Sequence, residues 1–150
     1  MIYASVVRQL VTKDHTFGGG DPGFKVVYIV DGVMKGAEAL DGSGAKGPDE
    51  PFNTAVKAQM HAALTDLPPL RFVTRWGSVV VGTAGGTSPG YVKNKGVLLS
   101  LGPIRGKGNR VEVGNNLFIT GLAGQWLTYV VEKRDGVWKV TGTTGPVAIS

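Results

Sequence analysis

The chain has 150 residues, enough for one domain with a sizeable core, and 42% hydrophobic with 18% charged residues excludes a disordered chain. Its formal charge is +5, and the absence of cysteine removes disulfides, thiolate zinc sites and thiol nucleophiles. Glycine is abundant, 24 residues without periodicity and mostly between strand-like runs, which implies a β-rich domain with many tight turns.

Ile2, Tyr3, Val6, Val7, Leu10 and Val11 recur at three- and four-residue spacing and predict an amphipathic first helix. Asp14 to Gly23 carries four glycines and a proline and breaks regular structure. Phe24 to Val30 reads as a strand ended by Asp31-Gly32, and Gly36 to Glu50 as a loop. Asp49-Glu50-Pro51 predicts the start of a second helix, with Phe52, Val56, Met60, Ala63 and Leu67 as its apolar stripe and Pro68-Pro69 as its stop.

From Leu70 onward the chain reads as β structure. The predicted strands are Arg71–Trp76, Ser78–Val81, Gly96–Leu101, Arg110–Thr120, Gln125–Lys133 and Val137–Thr141, with a further piece at Val147–Ile149. Gly82 to Gly90 is a loop, and Gly114 inside a long strand predicts a bulge or bend. Asp135-Gly136 between two β-branched and aromatic runs predicts a hairpin with a type I′ turn, which needs positive φ at both central residues. Trp126, Thr128 and Val130 share one strand face and Leu127, Tyr129 and Val131 the other, so this strand is expected to be central and covered on both sides. Trp126, Tyr129 and Trp138 are read as core residues. The expected architecture is a single α+β domain: two helices packed on a mainly antiparallel, strongly twisted meander sheet.

Charge is uneven. Residues 1–66 hold six basic and eight acidic side chains, net −2, whereas residues 67–111 hold seven basic ones and no acid, net +7; the remainder balances, giving +5. Arg71, Arg75, Lys93, Lys95, Arg105, Lys107 and Arg110, with Phe72, Trp76 and Tyr91 interleaved, form a candidate surface for nucleic acid or another polyanion. The opposing reading is that basic residues occupy the wet face of an antiparallel sheet.

Catalytic signatures are sparse. The histidines are His15 and His61; His61 is expected at the edge of the second helix's apolar face. Asp14-His15 lies in a glycine-rich segment after a helix, where reacting groups often sit, and is the weak catalytic candidate, for proton transfer. The competing reading has Asp14 and Thr16 shaping the helix exit and His15 capping the last carbonyls. Asp21, Asp31 and Glu38 are further carboxylates whose pairing spacing alone does not fix. No calcium loop, Gly-x-Ser-x-Gly elbow or P-loop is present: Asp41-Gly42-Ser43-Gly44 lacks a strand–turn–helix setting, and Arg105 to Arg110 reads as a basic hairpin turn. No metal and no cofactor are expected. Arg8, Asp14, His15 and Tyr28 are the candidate ligand-binding residues.

No apolar run approaches the ~18 residues of a membrane span, and no leader pattern stands at the start. The expectation is a chain that is cytoplasmic as written, or exported with its leader removed.

The segments Gly96–Ile104, Arg110–Asn115 and Trp126–Pro146, together with Arg8-Gln9-Leu10 and Asp14-His15-Thr16-Phe17, resemble a family of small, mainly actinobacterial proteins to which no activity attaches. A looser similarity is to the cone-shaped α+β domains of the nuclear transport factor 2 type, which end in the same strand–Asp-Gly–Trp-strand hairpin. That resemblance implies a curved sheet wrapped around helices with a pocket between them, used by some members for Asp/His isomerase or dehydratase chemistry and by many only for binding. The strand at Phe24–Val30, between the two helices, departs from that pattern. The expected function is a non-catalytic binding or interaction domain, taking a small ligand in a sheet–helix pocket or a protein partner. The alternatives are a pocket enzyme using Asp14 or His15, and a polyanion-binding module using residues 71–110.

Overall fold

A computed structural model describes residues 1–39, 47–82 and 90–150. The loop readings at Asp41–Gly44 and over 83–89 therefore lie outside the described residues. Helix α1, Ile2–Thr12, buries Tyr3, Ala4, Val6, Val7, Leu10 and Val11, the stripe expected from their spacing. Strand β1, Val26–Val33, follows, and its first five residues are all buried because both of its faces are covered. Val27 and Ile29 point toward the helices, and Val26, Tyr28 and Val30 into a second cluster on the opposite face.

The second helix starts later than Asp49-Glu50-Pro51 predicts. Glu50–Pro51 is strand β2, paired antiparallel with Gly32 and Val33 of β1. The Asp49 carboxylate accepts the Lys35 N–H at 2.8 Å, so it closes a turn instead of capping a helix. Asn53 is the cap of helix α2, Thr54–Ala63, its side chain accepting the Val56 N–H at 2.8 Å. One member of the expected stripe changes, Leu64 being buried where Ala63 is exposed, while Phe52, Val56, Met60 and Leu67 pack on the core as expected; the helix ends before Pro68. His61 is exposed, with its ring edge-on to Phe72 at 5.5 Å.

Strand β3 spans Leu70–Val73 where Arg71–Trp76 is expected, and a 3₁₀ turn at Trp76–Ser78 leaves only Val80–Val81 of the expected Ser78–Val81 strand, as β4. Tyr91–Val92 is the short β5. Four long strands complete the fold: β6 (Gly96–Lys107), β7 (Arg110–Thr120), β8 (Ala123–Arg134) and β9 (Val137–Ile149). These four form the expected antiparallel meander. The full sheet is mixed, however: β1 lies parallel to β6 on one side and parallel to β3 on the other. The spatial order is β3–β1–β6–β7–β8–β9, with β2 beside the end of β1 and the β4–β5 ribbon joined to the end of β7. The fold is α+β, with the described helices on a nine-stranded, mostly antiparallel sheet.

The Asp135-Gly136 turn has φ of 52° and 77°, the two positive values a type I′ turn requires. The irregularity read at Gly114 falls on its neighbour. β7 keeps register with β8 through Gly114, while Gly102 and Pro103 of β6 stand opposite that one residue as a bulge. A Cβ at Gly102 would lie 2.7 Å from the Gly114 carbonyl oxygen, so the two backbones touch. Strand β8 is covered on both faces, with Trp126 and Val130 buried on one and Leu127, Tyr129 and Val131 on the other. The two pieces expected at 137–141 and 147–149 are the single edge strand β9, whose register with β8 breaks twice. Those breaks and Pro146 blunt an otherwise long edge.

Candidate functional site

Helix α1 ends into a turn fastened to the sheet. The Lys13 and Asp14 N–H groups both donate to the Gln9 carbonyl, each at 3.0 Å, and Thr16 takes a positive φ of 72°. Tyr129 of β8 donates its hydroxyl to Asp14 Oδ2 at 2.6 Å, Gln9 Nε2 donates to the same oxygen at 3.1 Å, and Gln125 Nε2 donates to the Asp14 carbonyl. Burial, and then the hydrogen bond to Asp14, push the Tyr129 hydroxyl well above its ordinary pKa. Asp14 thus anchors the helix exit to β8, the strand beside the edge strand β9.

His15 is 1% exposed, and its Nδ1 accepts the Phe17 N–H at 3.2 Å instead of capping helix carbonyls. That acceptor role places the proton of a neutral ring on Nε2. The ring lies 6.1 Å from Phe17 and 6.3 Å, edge-on, from Phe24. The three rings form one wall.

On the far side of that wall is a cleft of about 450 Å³ at the end of the sheet where β1 and β6 begin. Phe17, Phe24 and Ile119 supply its apolar lining from the side of α1, and Tyr91 and Val92 line it from β5. Phe17 and Tyr91 are 52% and 51% exposed, so two large rings stand half open to water across one concavity. Asn94 and Lys95 complete the rim. Both hold left-handed backbone, φ 61° and 51°, in the tight turn that leads into Gly96. A second, smaller cleft of about 190 Å³ shares Asn94 and is bordered by Lys25, Tyr28 and Arg71. Asn94 Nδ2 donates to the Tyr28 hydroxyl at 2.7 Å, fixing the side chain between the two concavities.

The four ligand-binding candidates are not brought together. Arg8 lies on the surface, its guanidinium bonded to Asp66 at 3.0 Å and to the Ala63 carbonyl at 2.8 Å, tying α1 to the end of α2. Asp14 and His15 sit behind Phe17 and Phe24, and neither lines either cleft. Tyr28 faces the other side of the sheet from Asp14's anchor on Tyr129.

Nor is the acid-free segment one patch. Lys93 and Lys95 precede β6, whereas Arg105 and Lys107 end it, roughly 40 Å away at about 3.3 Å per residue. At the far end Arg105 pairs with Glu38 at 3.5 Å and lies across from Glu112, and Arg110 is opposite Glu132, so acids and bases alternate there. Arg75 stands apart, exposed at the 3₁₀ turn, and Arg71 joins the group around Asn94. No group of three or more metal-ligating side chains occurs among the described residues.

No protein-family model, curated protein or solved structure matches this chain. The site therefore rests on its own geometry. Its contributors that sequence reasoning did not single out are Lys25, Phe24, Asn94 and Ile119. Lys-Asn-Lys-Gly at 93–96 carried a turn signal, since Asn tolerates left-handed backbone and Gly follows it. Lys25 carried none.

Proposed function

We propose that this chain is a non-catalytic binding domain that takes a small, largely apolar ligand between Phe17 and Tyr91. One observation carries the reading: the two half-exposed rings face one cleft of a size usual for small-molecule sites. Full burial of a large apolar side chain is worth about 1.5–3 kcal/mol, so the half each ring leaves in water is free energy a ligand can recover. The proton-transfer alternative draws less support. Asp14 Oδ2 already accepts two hydrogen bonds, and His15 Nδ1 is used by the backbone of Phe17.

The test is titration with N-phenyl-1-naphthylamine, a neutral aromatic probe that fluoresces when it leaves water. Saturable one-site binding is expected, weakened about tenfold in a Phe17→Ser/Tyr91→Ser double variant, which corresponds to about 1.4 kcal/mol. Unchanged affinity in a double variant that melts like the parent protein would refute the assignment.

A further inference from the structure

We infer that the ligand carries an anionic oxygen group, a carboxylate or a phosphate, seated in the smaller cleft between Lys25 and Arg71. This rests on the binding reading above and adds the chemical class of the molecule bound. Three observations converge on it.

The first is charge. Lys25, Arg71 and Lys95 border the two joined clefts, and no carboxylate among the described residues borders either of them. None of the three takes part in an ion pair among the described residues. Cations gathered by the fold and left without partners at a concavity favour an anion there.

The second is a buried donor. Tyr28 is 4% exposed yet lines the smaller cleft. Its oxygen accepts from Asn94, which leaves the hydroxyl hydrogen to donate. A buried hydroxyl with an open donor beside two cations suits an anionic oxygen, which offers several lone pairs in a small volume.

The third is the join. Asn94 borders both clefts, and the Lys25 N–H donates to the Lys95 carbonyl at 3.0 Å. A molecule with its apolar body against Phe17 and Tyr91 reaches the Lys25–Arg71 cleft by passing Asn94. Its class is a free amphipathic organic anion.

The experiment compares two probes that differ by one charged group: N-phenyl-1-naphthylamine and its sulfonated analogue, 8-anilino-1-naphthalenesulfonate. The sulfonate is expected to bind about tenfold more tightly at low salt, with the advantage shrinking to about twofold at 0.5 M salt as the charges are screened. In Lys25→Gln/Arg71→Gln the advantage disappears while the neutral probe binds as before. Equal affinity of the two probes for the parent protein, or an advantage that survives both substitutions, overturns the inference and leaves the binding reading standing. Failure of the neutral probe alone overturns the earlier reading. Sedimentation with phosphatidylserine vesicles, lost in the charge variant while the sulfonate still binds normally, would mark the cations as a lipid-surface contact and also overturn the inference.

Discussion

Tyr129→Phe isolates the anchor between the sheet and the exit of α1. The ring is 1% exposed and phenylalanine keeps its shape, so no cavity opens and the change removes only the hydroxyl. That hydroxyl donates to a carboxylate at 2.6 Å, and hydrogen bonds to charged groups contribute about 1.5–3 kcal/mol. Asp14 is half-buried and retains Gln9, so water and the amide recover part of the loss, and a cost of about 1.5–2 kcal/mol is expected. At about 2–4 °C per kcal/mol for a domain of this size, the melting temperature falls by roughly 3–8 °C. Urea unfolding followed by tryptophan fluorescence reads the free energy directly. A double-mutant cycle with Asp14→Ala should show about 1 kcal/mol of coupling, because each single change removes the same bond. Hydrogen exchange at the Phe17 N–H should quicken as the turn loosens. A loss below about 0.5 kcal/mol, or a cycle in which the two substitutions simply add, would refute the anchor.

Two further outcomes follow from the fold. Asn53→Ala should cost about 1 kcal/mol in urea unfolding and Asn53→Gly only a few tenths, since glycine is a tolerable cap; equal losses would count against the cap. Tyr3 should make the protein sensitive to alkali. Burial first, and Glu50 second, push its hydroxyl up to about 12 from 10.0, so the folded state holds that proton more tightly than the unfolded one. The associated stability is complete below pH 10 and is lost as pH climbs from there through 12, by a few kcal/mol at about 1.4 kcal/mol per pH unit. Tyr3→Phe also lacks the 2.9 Å bond to the Gly102 carbonyl, so it starts lower but falls less steeply over that interval. A Tyr3→Phe curve parallel to the parent's throughout would exclude this origin.

Local signals carried the elements whose partners are close in sequence. The α1 stripe, the Asp135-Gly136 turn and the β6–β9 meander all follow from spacing and turn chemistry within a few residues. The errors have a common physical source, competition from tertiary partners. Asp49 and Pro51 look like a helix start, but β1 offers them a strand edge and a turn N–H to satisfy, and Asn53 is left to cap. Ser78–Val81 has strand propensity, yet the 3₁₀ turn at Trp76 lets its indole N–H reach Ser100 at 3.0 Å and its ring lie against Phe118 at 4.7 Å. Asp14 and His15 were legible as unusual residues after a helix. Their role as the back of an aromatic wall was not, because it depends on Tyr129, 115 residues away.

The charge pattern makes the same point about the site. Seven cations within 67–111 look like one surface, but a strand converts sequence distance into length along an axis, so β6 carries them to opposite ends of the sheet. What gathers Lys25, Arg71 and Lys95 is lateral pairing: β1 lies parallel to both β3 and β6, with Val26 opposite Gly96 and Tyr28 opposite Arg71. Parallel neighbours begin at the same end, so the residues preceding or opening each strand collect there. The segments supplying Phe17, Tyr91 and Ile119 meet at that same end, which is why cations and half-exposed rings border adjoining clefts although they are scattered over a hundred residues of chain. The opposite end of β6 receives the β6–β7 and β8–β9 turns instead, where Glu38 pairs with Arg105 and Glu112 and Glu132 stand across from Arg105 and Arg110. The strand order therefore sets a group of cations beside the clefts, with no carboxylate of the described residues bordering them, and a mixture of acids and bases at the far end.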